Sequence, residues 1–458
     1  MRVDAEDRPK SRLISDGVFY LVAGVCGLLV GVLGAAFHLI VDILLAWPVW
    51  LAARLGAATR VEMILAAAGV AAAGVMAAFL LTRRIAPEAA GSGVQEIEGA
   101  MAGLRVVRWL RVLPVKFVGG VLALSSGLVA GREGPTIHIG AAVAAALASG
   151  LRLAAADLRG LLAAGGAAGL AAAFNAPLAA ILFVIEETRK EFTYTFRFYS
   201  GVIIASASSA IGMELVGGTA PPLKIVAEAV PLAVLPAFVL LGAGLGALGV
   251  VFNGCLVGLL DWTTTAFRRV PFVPALVVGA ATGALLIVLP AATGGGERLI
   301  LRMVADNLPV ATLLAIAALR FASTMAAYCI GVPGGIFAPI LALATALGLA
   351  LGTALEGAFA LPPMTASAFA VAAMGGLFAS TVRAPLVSVV LAVELTGAYA
   401  LILPVIVTCA IANVVAEWLH GRPLYEMLLE RTLRLAGQGR PAATKPAFSS
   451  PVGFDEKS

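Results

Sequence analysis

Ala229–Leu260 contains no Asp, Glu, Lys or Arg. About 20 apolar residues suffice to span a bilayer core, and a soluble fold has no place for so long an uncharged run. Comparable runs recur from about Gly17 to Leu419, parted by short charged or Pro/Gly-rich breaks. Of 458 residues, 61% are hydrophobic and only 12% charged, against roughly 25% charged in soluble domains. The sequence predicts an all-α, multi-pass membrane protein with one membrane domain over residues 17–428. It is preceded by a cytoplasmic segment (1–16) and followed by a short polar tail (429–458).

The net charge of +5 does not point to nucleic acid. Its basic residues gather at the two ends, as Arg2, Arg8, Lys10 and Arg12, then Arg422, Arg431, Arg434 and Arg440. The positive-inside rule puts both termini in the cytoplasm, with an even number of crossings. The start mixes acids with bases and is followed by no convincing cleavage site, so it reads as an uncleaved, partly helical segment. Cys26, Cys255, Cys329 and Cys409 lie scattered in apolar runs without CxxC spacing and read as small buried hydrophobes. The three histidines are equally dispersed, so neither metal nor cofactor is expected.

The chain also repeats itself. Lys116-Phe117 opens a segment that reaches Gly131-Arg132-Glu133-Gly134-Pro135, and Arg320-Phe321, 204 residues on, opens one that reaches Gly335-Ile336-Phe337-Ala338-Pro339. Gly127 falls opposite Gly331 at the same offset. A second pairing, offset by 208, sets Ala176-Pro177-Leu178 and Glu186 against Ala384-Pro385-Leu386 and Glu394. Two halves follow, about 17–217 and 228–420. Repeats of this kind build transport folds with a binding site between the halves, near broken helices. Non-helical backbone at membrane depth is tolerated only where protein or water covers it.

In both Gly/Pro segments, glycine permits a tight turn and proline suits the first turn of the helix that follows. Each is thus a loop feeding a helix N-terminus, where unpaired N–H groups and roughly half a positive charge favour an anion. Gly91-Ser92-Gly93 offers a third such start, with a hydroxyl added. Three starts aimed at one point would hold an anion without a buried cation that would bind too tightly to release it. The competing reading is ordinary Gly/Pro kinks, which the repetition disfavours.

These residues resemble the anion-pathway motifs of the CLC chloride family, in the same order: GSGVQ (Gly91, Ser92, Gly93, Val94, Gln95), GREGP (Gly131 to Pro135), GGIFAP (Gly334 to Pro339) and GRPLY ending at Tyr425. The likeness extends through VLPVKF, GLAAAFNAPLAAILFVIEE and ELTGAYALILPVIVTCA, and it is greatest to the bacterial chloride/proton exchangers. It implies the CLC fold of two inverted repeats with tilted, broken helices, a homodimer with one pathway per subunit, and an inner-membrane location. It also implies that Ser92 and Tyr425 place hydroxyls on a central chloride, and that the N–H groups of Ile336 and Phe337 hold it from the other half. Glu133 would be the external gate. A carboxylate is itself an anion and competes for an anion site until a proton neutralises it. The competing reading is that Glu133 merely pairs with Arg132.

Glu186 has a repeat partner in Glu394, which suggests a shared structural role. Glu187 aligns with Leu395, so symmetry gives it no reason to exist, and an unmatched acid in a membrane helix is a functional candidate. The resemblance makes Glu187 the internal proton-transfer residue of exchangers; Glu98, in the Glu96-Ile97-Glu98 run, reads equally as a helper that hydrates or polarises it and as an exposed helix-start carboxylate. Chloride/proton antiport is the expected function and a passive chloride channel the alternative; no enzyme is implied. Ser92 and an intact GREGP favour chloride over fluoride or nitrate. Two departures stand out: Gln95 replaces the proline of GSGIP, and His138 stands where bacterial exchangers can have Gln. A helix-buried histidine is as a rule structural, though its titration range permits an added pH dependence. The tail is too short for the paired nucleotide-sensing domains of larger members.

Overall fold

The computed structural model describes residues 8–56, 59–188, 195–217, 223–227, 229–359 and 364–437. The first seven residues and the polar tail beyond Gly437 lie outside the described residues. Within them the architecture is all-helical, with two isolated backbone bridges and no strand. The first half comprises α1 (Arg8–Leu44), α2 (Trp47–Leu55), α3 (Arg60–Ile85), α4 (Val94–Met101), α5 (Trp109–Ser125), α6 (Glu133–Gly150), α7 (Ala155–Phe174), α8 (Pro177–Glu187) and α9 (Phe196–Gly217). The second comprises α10 (Leu235–Ala266), α11 (Val273–Val288), α12 (Glu297–Ala305), α13 (Val310–Cys329), α14 (Phe337–Phe359), α15 (Thr365–Val382), α16 (Pro385–Thr396) and α17 (Ile402–Trp418). A final helix, α18 (Leu424–Leu435), follows. Eight helical stretches are long and apolar enough to cross a membrane.

Both expected domain edges fall inside helices. α1 runs from Arg8 across residue 17, and α18 runs through residue 428, with Leu424, Tyr425, Leu428, Leu429 and Leu433 all buried. Small residues explain the centre. A Cβ on Gly140 of α6 would overlap the Gly165 carbonyl of α7, and one on Gly348 of α14 would overlap the Phe369 carbonyl of α15. Repeat-mate helix pairs therefore meet backbone to backbone, as small residues allow where lipid offers no hydrophobic drive. α15 is almost wholly encased, whereas α1, α3, α10 and α11 turn side chains such as Leu21, Leu65, Leu240 and Val277 outward, as lipid-facing helices do. Of the cysteines, Cys26 and Cys409 are buried as expected. Cys255 is exposed on α10 and Cys329 half-buried, since burial follows helix face rather than residue type.

The second repeat is inverted, and one reciprocal contact shows it. Glu186, at the C-terminal end of α8, accepts from the N–H groups of Leu386 (3.4 Å) and Val387 (2.9 Å) at the start of α16. Glu394, near the end of α16, accepts from Leu178 (3.1 Å) and Ala179 (2.7 Å) at the start of α8. Only antiparallel mates can cap each other head to tail. The shared structural role of the two acids is this exchange of N-terminal caps. Glu186→Gln and Glu394→Gln should each lower stability by about 1 kcal/mol, the usual worth of such a cap. Thermal unfolding in detergent measures it, and near-equal losses at the two positions are expected.

Candidate functional site

The loops that precede the short helices are zipped together across the repeat. Gly131 and Gly335 exchange backbone hydrogen bonds of 2.7 and 2.8 Å. Gly91 donates to the Val332 carbonyl (3.0 Å) and accepts from Gly334 N–H (3.1 Å). α4, α6 and α14 thus begin at one place. Glycine is needed for this approach: a Cβ on Gly134 would stand 2.7 Å from Ser92 Cα, 2.8 Å from Ser92 Oγ and 2.9 Å from Gly335 Cα. Pro135 and Pro339 lie in the first turns of α6 and α14, as their sequence positions predict.

Two buried cations hold these loops from behind. Lys116 Nζ donates to the carbonyls of Ala89 (3.0 Å) and Gly91 (2.7 Å). Arg320 donates to those of Thr293 (3.0 Å), Gly294 (2.8 Å) and Gly295 (2.6 Å). The sequence pairs Lys116 with Arg320, and the structure gives the reason: both reach back 25 and 27 residues to the loop that opens a short helix. Gly93 before α4 and Gly296 before α12 are both left-handed, with φ of 91° and 118°, a region that favours glycine. Gly294–Gly296 is therefore the mate of Gly91–Gly93, a match the sequence reading missed. Neither cation points at the anion position; their charge is taken up by carbonyls.

At the junction of the three helix starts lies the Glu133 side chain, fully buried. Its carboxylate is folded over Gly131 so closely that a Cβ there would overlap it, and it lies beside Gly335 at the start of the other half's motif. It does not pair with Arg132. That guanidinium turns to Asp42 of α1, with one contact of 3.2 Å, and stands 4.0 Å from Glu297 of α12. Ser92 Oγ and Tyr425 Oη face one another from the opposite side, too loosely for a hydrogen bond, and both are buried without a partner. Each hydroxyl is able to donate to an anion held beside it. Ile336 and Phe337 are buried at the start of α14. The Phe337 ring packs edge-on to Phe183 (5.3 Å) and Phe378 (4.7 Å) and lies 6.0 Å from the Tyr425 ring. The residues of the separate motifs thus meet at one place. Tyr328 was missed: its hydroxyl accepts from Ser92 N–H at 3.3 Å, across 236 residues.

Two spaces lead towards this junction. A vestibule of about 570 Å³ is lined by Gly91, Gln95, Tyr328 and the basic side chains Arg83, Arg105, Arg108, Arg268 and Arg431. Gln95, which replaces the proline of GSGIP, sits on its wall. Separately, a cavity of about 20 Å³ lies among Ile97, Glu98, Ile137, Phe183, Val184 and Glu187. It has room for one water, and it puts Glu98 and Glu187 on one small chamber, away from the vestibule. His138 is in neither. Its ring packs on Gly93, so close that a Cβ there would overlap Nδ1, and it lies near Lys116. Among the described residues it has no carboxylate partner. His138→Gln should therefore leave the shape of the transport–pH profile unchanged, which flux assays across a pH series would check.

The chain matches the model of the voltage-gated chloride channel family over residues 74–417. It is 41% identical over 420 residues to the H(+)/Cl(−) exchange transporter ClcA of Vibrio parahaemolyticus, covering 90% of each chain. It is 44% identical over 365 residues to ClcA of Salmonella typhi, covering 78% of this chain and 77% of that one. Among solved structures, a slow cyanobacterial Cl−/H+ antiporter superposes with a TM-score of 0.87 at 36% identity, over 92% of this chain and 99% of its own.

Proposed function

The chain belongs to the CLC family, and on that premise we propose that it is a chloride/proton antiporter, driven by whichever ion gradient is larger. The observation that carries this is Glu133: an ionisable side chain lies against the helix starts whose N–H groups would otherwise receive an anion. Ionised, it competes with chloride for that field. Protonated, it loses the attraction and yields the position. Anion movement and protonation are thereby tied to one group. Chloride reaches the site from the arginine-lined vestibule past Ser92 and Tyr425 and is held by the N–H groups of Ile336 and Phe337. The proton comes separately, from Glu187 through the small chamber it shares with Glu98. Two inner routes joined at one acid are what exchange requires, whereas a passive channel needs only the first.

The protein is integral to the membrane; we place it in the bacterial inner membrane with both termini cytoplasmic. The concentration of arginines around the vestibule supports that side as cytoplasmic. α1, 37 residues long, would carry Asp42 and its Arg132 contact to the opposite side. The family resemblance implies a homodimer, and Leu178 and Leu386, exposed at the mated starts of α8 and α16, fit a shared apolar face.

The deciding experiment is the reversal potential of the reconstituted protein under a pH gradient. Exchange moves it away from the chloride equilibrium value towards the proton gradient. A pure chloride value with no pH dependence would make the protein a channel.

A further inference from the structure

A second basic recess, of about 680 Å³, adjoins the vestibule and is separated from it by Arg105 and Arg108, which line both. It forms where the α4–α5 connection and the first turn of α5 meet the turn between α6 and α7. Its arginines fall into two classes. Arg105 is held by Glu96 at 2.9 Å and Arg108 by Glu88 at 2.8 Å, so their charge is matched. Arg111, on the first turn of α5, and Arg152, in the α6–α7 turn, are exposed and have no ion pair among the described residues. The recess therefore carries two unmatched guanidiniums, and the N-terminal end of α5 adds the field of its free N–H groups.

Its rim is of the opposite character. Val106 is 83% exposed and Leu110 71%, and Trp109 lines the wall at the start of a helix that enters the apolar region. Aliphatic side chains beside bare arginines, with a tryptophan between them, are the chemistry of the membrane–water boundary. A free inorganic anion would use the arginines but gain nothing from the rim. A zwitterionic lipid would bring its own cation up against Arg111 and Arg152. We propose that this recess is a binding site for an anionic glycerophospholipid. Arg111 and Arg152 bind its phosphate, and Val106 and Leu110 receive the upper part of its acyl chains. The site is distinct from the anion pathway and does not depend on how transport is coupled.

The test is native mass spectrometry of the full chain released from membranes holding equal amounts of phosphatidylglycerol and phosphatidylcholine of matched chain length. Retention of phosphatidylglycerol should exceed that of phosphatidylcholine by about tenfold or more, the order expected from two added basic contacts. R111Q/R152Q should bring the two to parity, R111K/R152K should keep most of the preference, and R54Q/R60Q, altering exposed arginines elsewhere, should leave it intact. Inorganic phosphate in millimolar excess should not displace the lipid. Equal retention by the unaltered chain, a preference that survives R111Q/R152Q, or displacement by phosphate alone would each overturn the proposal, the last by making this a site for a free anion.

Discussion

Glu133→Gln should all but stop proton transport, while chloride should continue to cross at a rate that no longer varies with pH. Gln keeps the shape of the protonated acid, so the side chain still fits over Gly131 and beside Gly335. It cannot become an anion, and so it no longer competes with chloride at the three helix starts. Nor can it receive the proton arriving from Glu187. A positioned acid–base group contributes about 10²–10⁴-fold to proton transfer, so proton flux should fall by at least about 100-fold. In the unaltered protein, exchange should rise as pH falls, because protonation releases the gate; in the variant that slope should vanish. Vesicles loaded with chloride and followed by paired chloride and pH electrodes give both readings at once. Proton flux persisting at near-normal stoichiometry would remove Glu133 from the mechanism.

The second large effect separates the two inner routes. Glu187→Gln should lower proton flux by about 100-fold but leave chloride flux within a few-fold, because Glu187 lies on the small chamber and not on the arginine-lined vestibule. Glu133 remains intact in this variant, so chloride flux should still rise towards acid pH, with the gate taking its protons from outside. That residual slope distinguishes the two variants: flat for Glu133→Gln, sloped for Glu187→Gln. Glu98, on the same chamber wall, should give a smaller loss when made Gln, since it acts by favouring water beside Glu187. Parallel loss of both ions in Glu187→Gln would mean a structural role instead.

Much of this could be read from the sequence because it is written locally. The G-x-x-x-P segments specify loop and helix start within five residues, and their recurrence 204 residues apart marks both as parts of one site. The same comparison separated Glu186, which caps α16, from Glu187, which has no mate. What was missed depends on folding over distance. Arg132 turns to Asp42, 90 residues away, and Tyr328 reaches Ser92 across 236; neither spacing leaves a local pattern. Gly294–Gly296 escaped notice because it carries no hydroxyl where Ser92 stands. The cue was present in the equal reach of Lys116 and Arg320, which aligned in the sequence without an evident purpose.

The backbone bonds joining Gly131 to Gly335, and Gly91 to Val332 and Gly334, have a mechanical consequence. Transporters built from inverted repeats commonly alternate access by rocking one half against the other around the bound ion. Here the fulcrum of such a motion is stapled: separating the halves at this point would break four main-chain hydrogen bonds. On the proposed mechanism the stroke is therefore short: the swing of the Glu133 carboxylate beside a frame that these bonds hold together.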